Sequence, residues 1–441
     1  MKFKRILSFF LIFVLLIGIF PVSRANAASE PPEIAAESAI LIECSTDLVL
    51  YEKEADTLRY PASLTKLMTA LITVESVSLD EIVTANGSAF EGLSIYGSTA
   101  DIRHGEEMSV NDLLHCLLIS SANEAANVLA QYVCDGSIDA FVQKMNARAK
   151  ELGMTGTHYT NTHGLHDDDH YTTARDTATL VAEVMKHPEL VEICATTAYT
   201  VPATNKSAER VLYSTNNLIS TYKDKHYYYE YATGMKTGTT DAAGRCLAAT
   251  ADNGNIQLIC IVLKSKLDEE TKKQMNFVDA TELFEWGFNN YGYRTILETG
   301  EPIDELHDIR FGKDRDYVLV APKEKIVTLI DKTINFDDMT RTIVKNEGVE
   351  APIEVGQVLG TVTVSYEGTD YGTVDLVATS TLECNKFAKT MSRIWHILTS
   401  KVMLISIAAF IGLIGIYIIF MIGYNARKRN RSYRGNGRGR R

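Results

Sequence analysis

The seven cysteines, at positions 44, 116, 134, 194, 246, 260 and 384, contain no Cys-x-x-Cys pair and no repeated interval. That removes the usual spacing of a thiolate metal site, and an odd number leaves at least one thiol unpaired. Most are expected as small buried apolar residues, with no metal and no other cofactor. Acidic residues are missing from both ends of the chain. Of the 44 Lys and Arg, four lie in residues 1–27, eight from Arg427 to Arg441 and one at Lys401; the remaining 31 face all 56 acids across residues 28–400, a formal charge of −25. Such a surface repels polyanions, so no nucleic-acid partner is expected. An anionic substrate would have to be gathered by a local cationic pocket.

Charge is also absent from Val402 to Gly423, 22 residues that can cross a bilayer as one helix. The basic tail that follows fits the cytoplasmic side by the positive-inside rule. At the other end, Lys2, Lys4 and Arg5 precede the apolar run Ile6–Phe20 and the small-x-small triplet Ala25-Asn26-Ala27, the form of a secretion signal. The expected plan is a signal over 1–27, a catalytic domain over 28–295 and an all-β domain over 296–385. An amphipathic segment over 386–401, a transmembrane helix over 402–423 and a cytoplasmic tail over 424–441 complete it.

The chain is organised around Tyr60-Pro61-Ala62-Ser63-Leu64-Thr65-Lys66-Leu67-Met68-Thr69-Ala70-Leu71-Ile72. Pro61 suits a helix start, and Leu64, Leu67, Met68, Leu71 and Ile72 recur at helical spacing. Residues three apart share a helix face, so Ser63 and Lys66 are expected to meet there. A lysine kept neutral by burial or by a second cation can take the serine proton. The spacing alone is weak, because Ser220-Thr221-Tyr222-Lys223 repeats it in a polar, tyrosine-rich run. A second element, Ser121-x-Asn123, falls between two apolar helical runs; Ser109-x-Asn111 and Ser214-x-Asn216 also match, but Ser109 has the spacing of a helix cap. A third, Lys236-Thr237-Gly238, occurs once, on an expected strand where Gly238 would let a bound chain lie close.

Around these, Glu37–Glu54 reads as a hairpin, helices fill the middle, and strands over Gly234–Gly238, Cys246–Thr250 and Ile256–Leu263 precede an amphipathic helix through Phe277, Phe284 and Phe288. The fold class is α+β, an antiparallel sheet with helices on it. The loop His163–His170 holds three histidines and three aspartates and is expected to be solvated and held by local hydrogen bonds rather than to bind metal.

Taken in order, Ser63-x-x-Lys66, Ser121-x-Asn123 and Lys236-Thr237-Gly238 resemble the penicillin-binding and serine β-lactamase superfamily. Pro61–Thr69, His163-Gly164-Leu165 leading to Ala174-Arg175-Asp176, and Lys236–Gly244 narrow the resemblance to low-molecular-mass D-alanyl-D-alanine carboxypeptidases. Gly356–Gly360 and Val374–Val377 carry it into the β domain. The resemblance implies a transpeptidase-type fold and removal of the terminal D-Ala from peptidoglycan stem peptides ending in D-Ala-D-Ala, with β-lactams as covalent inhibitors. It gives Ser63 as nucleophile, Lys66 as base and Ser121 as proton relay. Asn123, Lys236, Thr237, Gly238 and Thr239 would bind substrate, and the backbone N–H groups of Ser63 and Thr239 would hold the oxyanion. Two departures stand out, Cys246 where relatives often carry Asn and a full span where many use an amphipathic helix. A β-lactamase, which would want a Glu-x-x-Asn not found in the corresponding stretch, and an idle wall-binding scaffold are the rival readings.

Overall fold

Alternation along the strands sets the architecture. In β1 (Ser38–Glu43) the side chain of Ile40 enters one apolar core while Ala39 and Leu41 enter another. Successive side chains of a strand point to opposite faces, so a strand apolar at every position must be covered on both sides. The computed structural model describes residues 30–93 and 97–435; the expected secretion signal lies outside them. They form two units, one ending at Arg294 and taking in Leu329–Ile334, the other made of Thr295–Thr328 and Asn335 onward.

In the first unit β1 pairs with β2 (Val49–Lys53) as the expected hairpin. A short turn, Ala62–Thr65, then leads into α1 (Lys66–Ser76). Ser63 therefore sits in a 3-10 turn, one step before the α-helix, rather than inside it. Leu64, Leu67, Met68, Leu71 and Ile72 are all buried, and so is every α1 residue from Lys66 to Thr73. Each large apolar side chain buried this way contributes roughly 1.5–3 kcal/mol.

A small ribbon of β3 (Ile82–Thr84) and β4 (Glu107–Ser109) precedes α2 (Val110–Leu118), whose cap is Ser109 accepting from the Asp112 N–H. After it come α3 (Asn123–Val133), α4 (Ile138–Glu151), α5 (Ala174–Val184) and α6 (Pro188–Ala195). Thr173 caps α5 by accepting from the Asp176 N–H.

A second ribbon, β5 (Ala198–Val201) with β6 (Arg210–Tyr213), leads to β7 (Ala232–Thr240), β8 (Gly244–Asp252) and β9 (Gln257–Ser265). The sheet runs β2-β1-β9-β8-β7, every neighbour antiparallel. Helices α1–α5 and part of α6 cover one face. The other is covered by α7 (Met275–Asn290) through Phe277, Phe284 and Phe288, together with Leu329. This is the expected antiparallel sheet with helices on it, and β7 forms one of its two edges.

The second unit contains a five-stranded antiparallel sheet in the order Asp304–Leu306, Val318–Pro322, Thr369–Ala378, Val358–Tyr366, Thr340–Lys345. Val318, Val320, Val362, Val364, Leu376 and Ala378 are among its buried residues. Helix Lys386–Leu398 follows, with Phe387, Met391 and Trp395 exposed. Helix Lys401–Gly435 comes last, and its stretch Lys401–Arg427 is long and apolar enough to cross a membrane.

Candidate active site

Three segments distant in sequence meet beside the β7 edge. The turn Ala62–Thr65 brings the first. Ala62 holds a left-handed backbone (φ +49°), and Lys66 opens α1 one turn beyond. The second is the junction between α2 and α3, where Ser121 also has φ +64° and Asn123 opens α3. The third is β7, carrying Lys236, Thr237, Gly238 and Thr239. A Cβ at Gly238 would lie 2.9 Å from the Pro61 carbonyl and 3.0 Å from the Ser63 nitrogen. Glycine is required there because the nucleophile turn packs against the strand.

Lys66 is 0 % exposed, and its Nζ has three neighbours: Ser63 Oγ at 2.9 Å, Asn123 Oδ1 at 2.8 Å and the His163 carbonyl at 2.6 Å. Two of these can only accept. A neutral amine has two N–H donors and one lone pair, so the lone pair is left for the Ser63 hydroxyl. The environment favours that neutral form. Burial, then the nearby Lys236 charge, hold the Lys66 pKa well below the usual lysine range, against a smaller opposing pull from Glu124.

Lys236 is 1 % exposed and donates to Ser121 Oγ at 3.0 Å and to the Thr237 carbonyl at 2.8 Å. Burial, helped by the Lys223 charge, brings its pKa down to about 7. This amine can therefore gain or lose its proton near neutral pH. A bound carboxylate would draw the proton back. Ser121 thus touches Lys236, while Asn123 touches Lys66. Thr239 is exposed at the outer end of β7. Cys246, paired across from Gly238, is buried with its thiol 3.6 Å from the carbonyls of Tyr60 and Ala243, behind the nucleophile turn.

Two features escaped the sequence reading. Thr215 Oγ1 lies 2.7 Å from Thr237 Oγ1, and the Thr215 N–H reaches the Ile119 carbonyl at 3.2 Å, tying a separate loop to both the strand and the junction. The His163–His170 loop is exposed over His166–Asp169 and held by local hydrogen bonds as expected, but its two ends are not solvated. His163 and His170 are largely enclosed, with pKa values pushed down by burial to about 3 and about 4. Thr69 Oγ1 donates to the Thr162 carbonyl at 2.6 Å and Thr162 Oγ1 to Asn127 Oδ1 at 2.6 Å, so the loop is clamped onto α1 and α3. Its tight bend at Gly164 (φ +83°) was the one available sign. Apart from this site, Glu75, Glu183 and His187 converge, but Arg148 already pairs both carboxylates at 2.7 and 2.9 Å.

Ser220 and Lys223 do not form a comparable pair. Ser220 is buried and accepts from the Tyr222 N–H at 3.3 Å outside any helix, whereas Lys223 is exposed. What has been assembled is a serine hydroxyl against an amine that prefers to be neutral, beside a second amine able to take up charge when an anion arrives. That is the equipment for acyl transfer to serine.

Comparison with known proteins agrees. The D-alanyl-D-alanine carboxypeptidase family pattern matches residues 24–267, and that of the penicillin-binding protein 5 C-terminal domain matches 291–383. The chain is 31% identical over 371 residues to the D-alanyl-D-alanine carboxypeptidase DacF of Bacillus subtilis, covering 83% of this chain and 91% of that one. It is 30% identical to DacC of Escherichia coli K12, covering 86% and 91%. Among solved structures, penicillin-binding protein 5 of Haemophilus influenzae superposes with a TM-score of 0.59 at 27% identity, over 80% of this chain and 99% of that one.

Proposed function

The chain belongs to the D-alanyl-D-alanine carboxypeptidase family, and from that premise we propose how its own residues carry the reaction. It is a serine-type carboxypeptidase of the penicillin-binding kind. The observation that carries the assignment of roles is the Lys66 amine, 2.9 Å from Ser63 Oγ with its other two contacts on oxygens that only accept.

Ser63 Oγ attacks the carbonyl of the penultimate D-Ala while its proton passes to Lys66. The oxyanion is held by the backbone N–H groups of Ser63 and Thr239, fixed donors in a site that need not reorganise. The carbon–nitrogen bond breaks as the proton held by Lys66 passes by way of Ser121 to the departing amine, which returns Lys66 to its neutral form, and terminal D-Ala leaves. Water, losing its proton to Lys66, then releases the shortened peptide from Ser63. Lys236 binds the terminal carboxylate with Thr237, and Asn123 orients both Lys66 and the substrate amide. A β-lactam mimics the scissile bond and acylates the same serine.

The catalytic domain over 28–295 is held to the membrane by the single span near 402–423, its active face outside the cytoplasm and its basic tail inside. The charge-free run and the eight following basic residues support that orientation. The family match and the assembled Ser63–Lys66 pair support a working hydrolase over a β-lactamase or an idle scaffold. The test is D-Ala release from a pentapeptide by the detergent-solubilised full chain, with mapping of the residue labelled by penicillin. Label on a residue other than Ser63, or turnover of penicillin without D-Ala release, would overturn it.

A further inference from the structure

The nucleophile turn is held from beneath by a directed hydrogen-bond chain. His170 is 2 % exposed. Its Nδ1 accepts from the Thr160 N–H at 3.1 Å, which requires the ring proton on Nε2. Nε2–H then donates to Thr65 Oγ1 at 2.8 Å, and Thr65 Oγ1–H donates to the Ala62 carbonyl at 2.9 Å. Burial keeps the ring neutral at neutral pH, so this direction is stable.

The last acceptor is what gives the chain a consequence for chemistry. Ala62 carries φ +49°, a conformation disfavoured for a non-glycine residue, so its surroundings must enforce it. Gly164 closes over the same carbonyl so tightly that a Cβ there would lie 1.9 Å from the oxygen. Across a trans peptide the C=O and the following N–H point in opposite directions. Pinning the Ala62 oxygen inward therefore aims the Ser63 N–H outward, to the side where β7 passes at Gly238.

We propose that His170 is a positioning residue for the oxyanion site: acting through Thr65, it fixes the Ala62–Ser63 peptide plane and so aims the Ser63 N–H at the developing oxyanion. This rests on the reading of Ser63 as the acylated residue. It adds that the loop after α4 is part of the machinery for stabilising the transition state, although none of its side chains need touch substrate.

The experiment is saturation kinetics of acylation by a chromogenic β-lactam on the full chain, separating the acylation rate constant from the preceding dissociation constant. The variants are Thr65→Val, His170→Leu, the double variant and His170→Gln. Deleting an oxyanion donor costs about 10²–10³ in rate, and misaiming one should cost less, about tenfold to a hundredfold. That loss is expected in the acylation rate constant for Thr65→Val and His170→Leu alike, with the dissociation constant unchanged. The double variant should be no slower than either single, because both act through one contact chain. His170→Gln, which keeps a donor toward Thr65, should recover most of the rate. Wild-type acylation in Thr65→Val, losses that multiply in the double variant, or a loss appearing equally in the dissociation constant would each overturn the proposal. If His170→Leu does not fold, the nearly isosteric Thr65→Val decides alone. Label on Ser63 at unchanged rates defeats only this inference, whereas label elsewhere defeats the assignment of the nucleophile.

Discussion

Ser63-x-x-Lys66 and Ser220-x-x-Lys223 share a spacing and nothing else. In the first, the lysine opens a fully buried helix and its amine touches the serine at 2.9 Å; in the second, the serine is buried in a turn and the lysine is exposed. Desolvation lowers the Lys223 pKa as well, but its side chain is exposed and its amine is not hydrogen-bonded to Ser220. A buried ammonium loses hydration, and a second cation nearby penalises its charge further. The chemistry therefore belongs to the environment of the pair, and the spacing only permits it.

The comparison is broken most sharply by removing the hydroxyls. Ser63→Ala should abolish both penicillin labelling and D-Ala release while leaving the thermal transition nearly intact; Ser220→Ala should label as wild type. Covalent labelling surviving in Ser63→Ala would reverse the roles of the two serines. The lysines come next. Lys66→Gln should slow acylation by about 10²–10⁴, the range for a general base, whereas Lys223→Gln should leave the maximal acylation rate near wild type. Equal losses would mean that burial does not distinguish them.

A smaller effect concerns the coupling of Lys66 to Lys236. Lys66 is active when neutral, so acylation should rise with pH as its depressed pKa is passed. Lys236→Gln removes a cation that holds that pKa down, so it should move the rise to higher pH and weaken substrate capture. An unchanged pH profile in that variant would show the two amines to be uncoupled. The smallest expected change sharpens the part Lys223 does play. Burial brings the Lys236 pKa down to about 7, so kcat/KM should decline above that pH. Lys223→Gln removes the charge that adds to burial in depressing Lys236 and should shift this decline to higher pH, by less than Lys236→Gln shifts the rise. No movement of the decline would disconnect the surface lysine from the cleft.

Much of the site could be read from residue order because its side chains come from short local patterns. Ser63 and Lys66 lie one turn apart, Ser109 caps with Asp112, and Lys236-Thr237-Gly238 falls on a strand. The His163–His170 loop could not. Its polar, turn-rich composition is that of a solvated loop, and its contribution to Lys66 is a backbone carbonyl, which every residue type possesses. Thr215 was missed for a related reason, since one threonine in a polar run gives no sign that it will meet Thr237.

Residue order was enough for the fold class, the meeting of Ser63 with Lys66 and the apolar C-terminal run, because each rests on periodicity or spacing within a few residues. Tertiary packing alone decided the protonation of the two lysines, the reason for glycine at 238 and the clamp beneath Ala62. Those depend on desolvation and on contacts between residues about a hundred or more positions apart, such as His170 with Thr65 and Ser121 with Lys236. Neither burial nor a long-range hydrogen bond exists until the chain has closed on itself, so no local pattern can encode its strength.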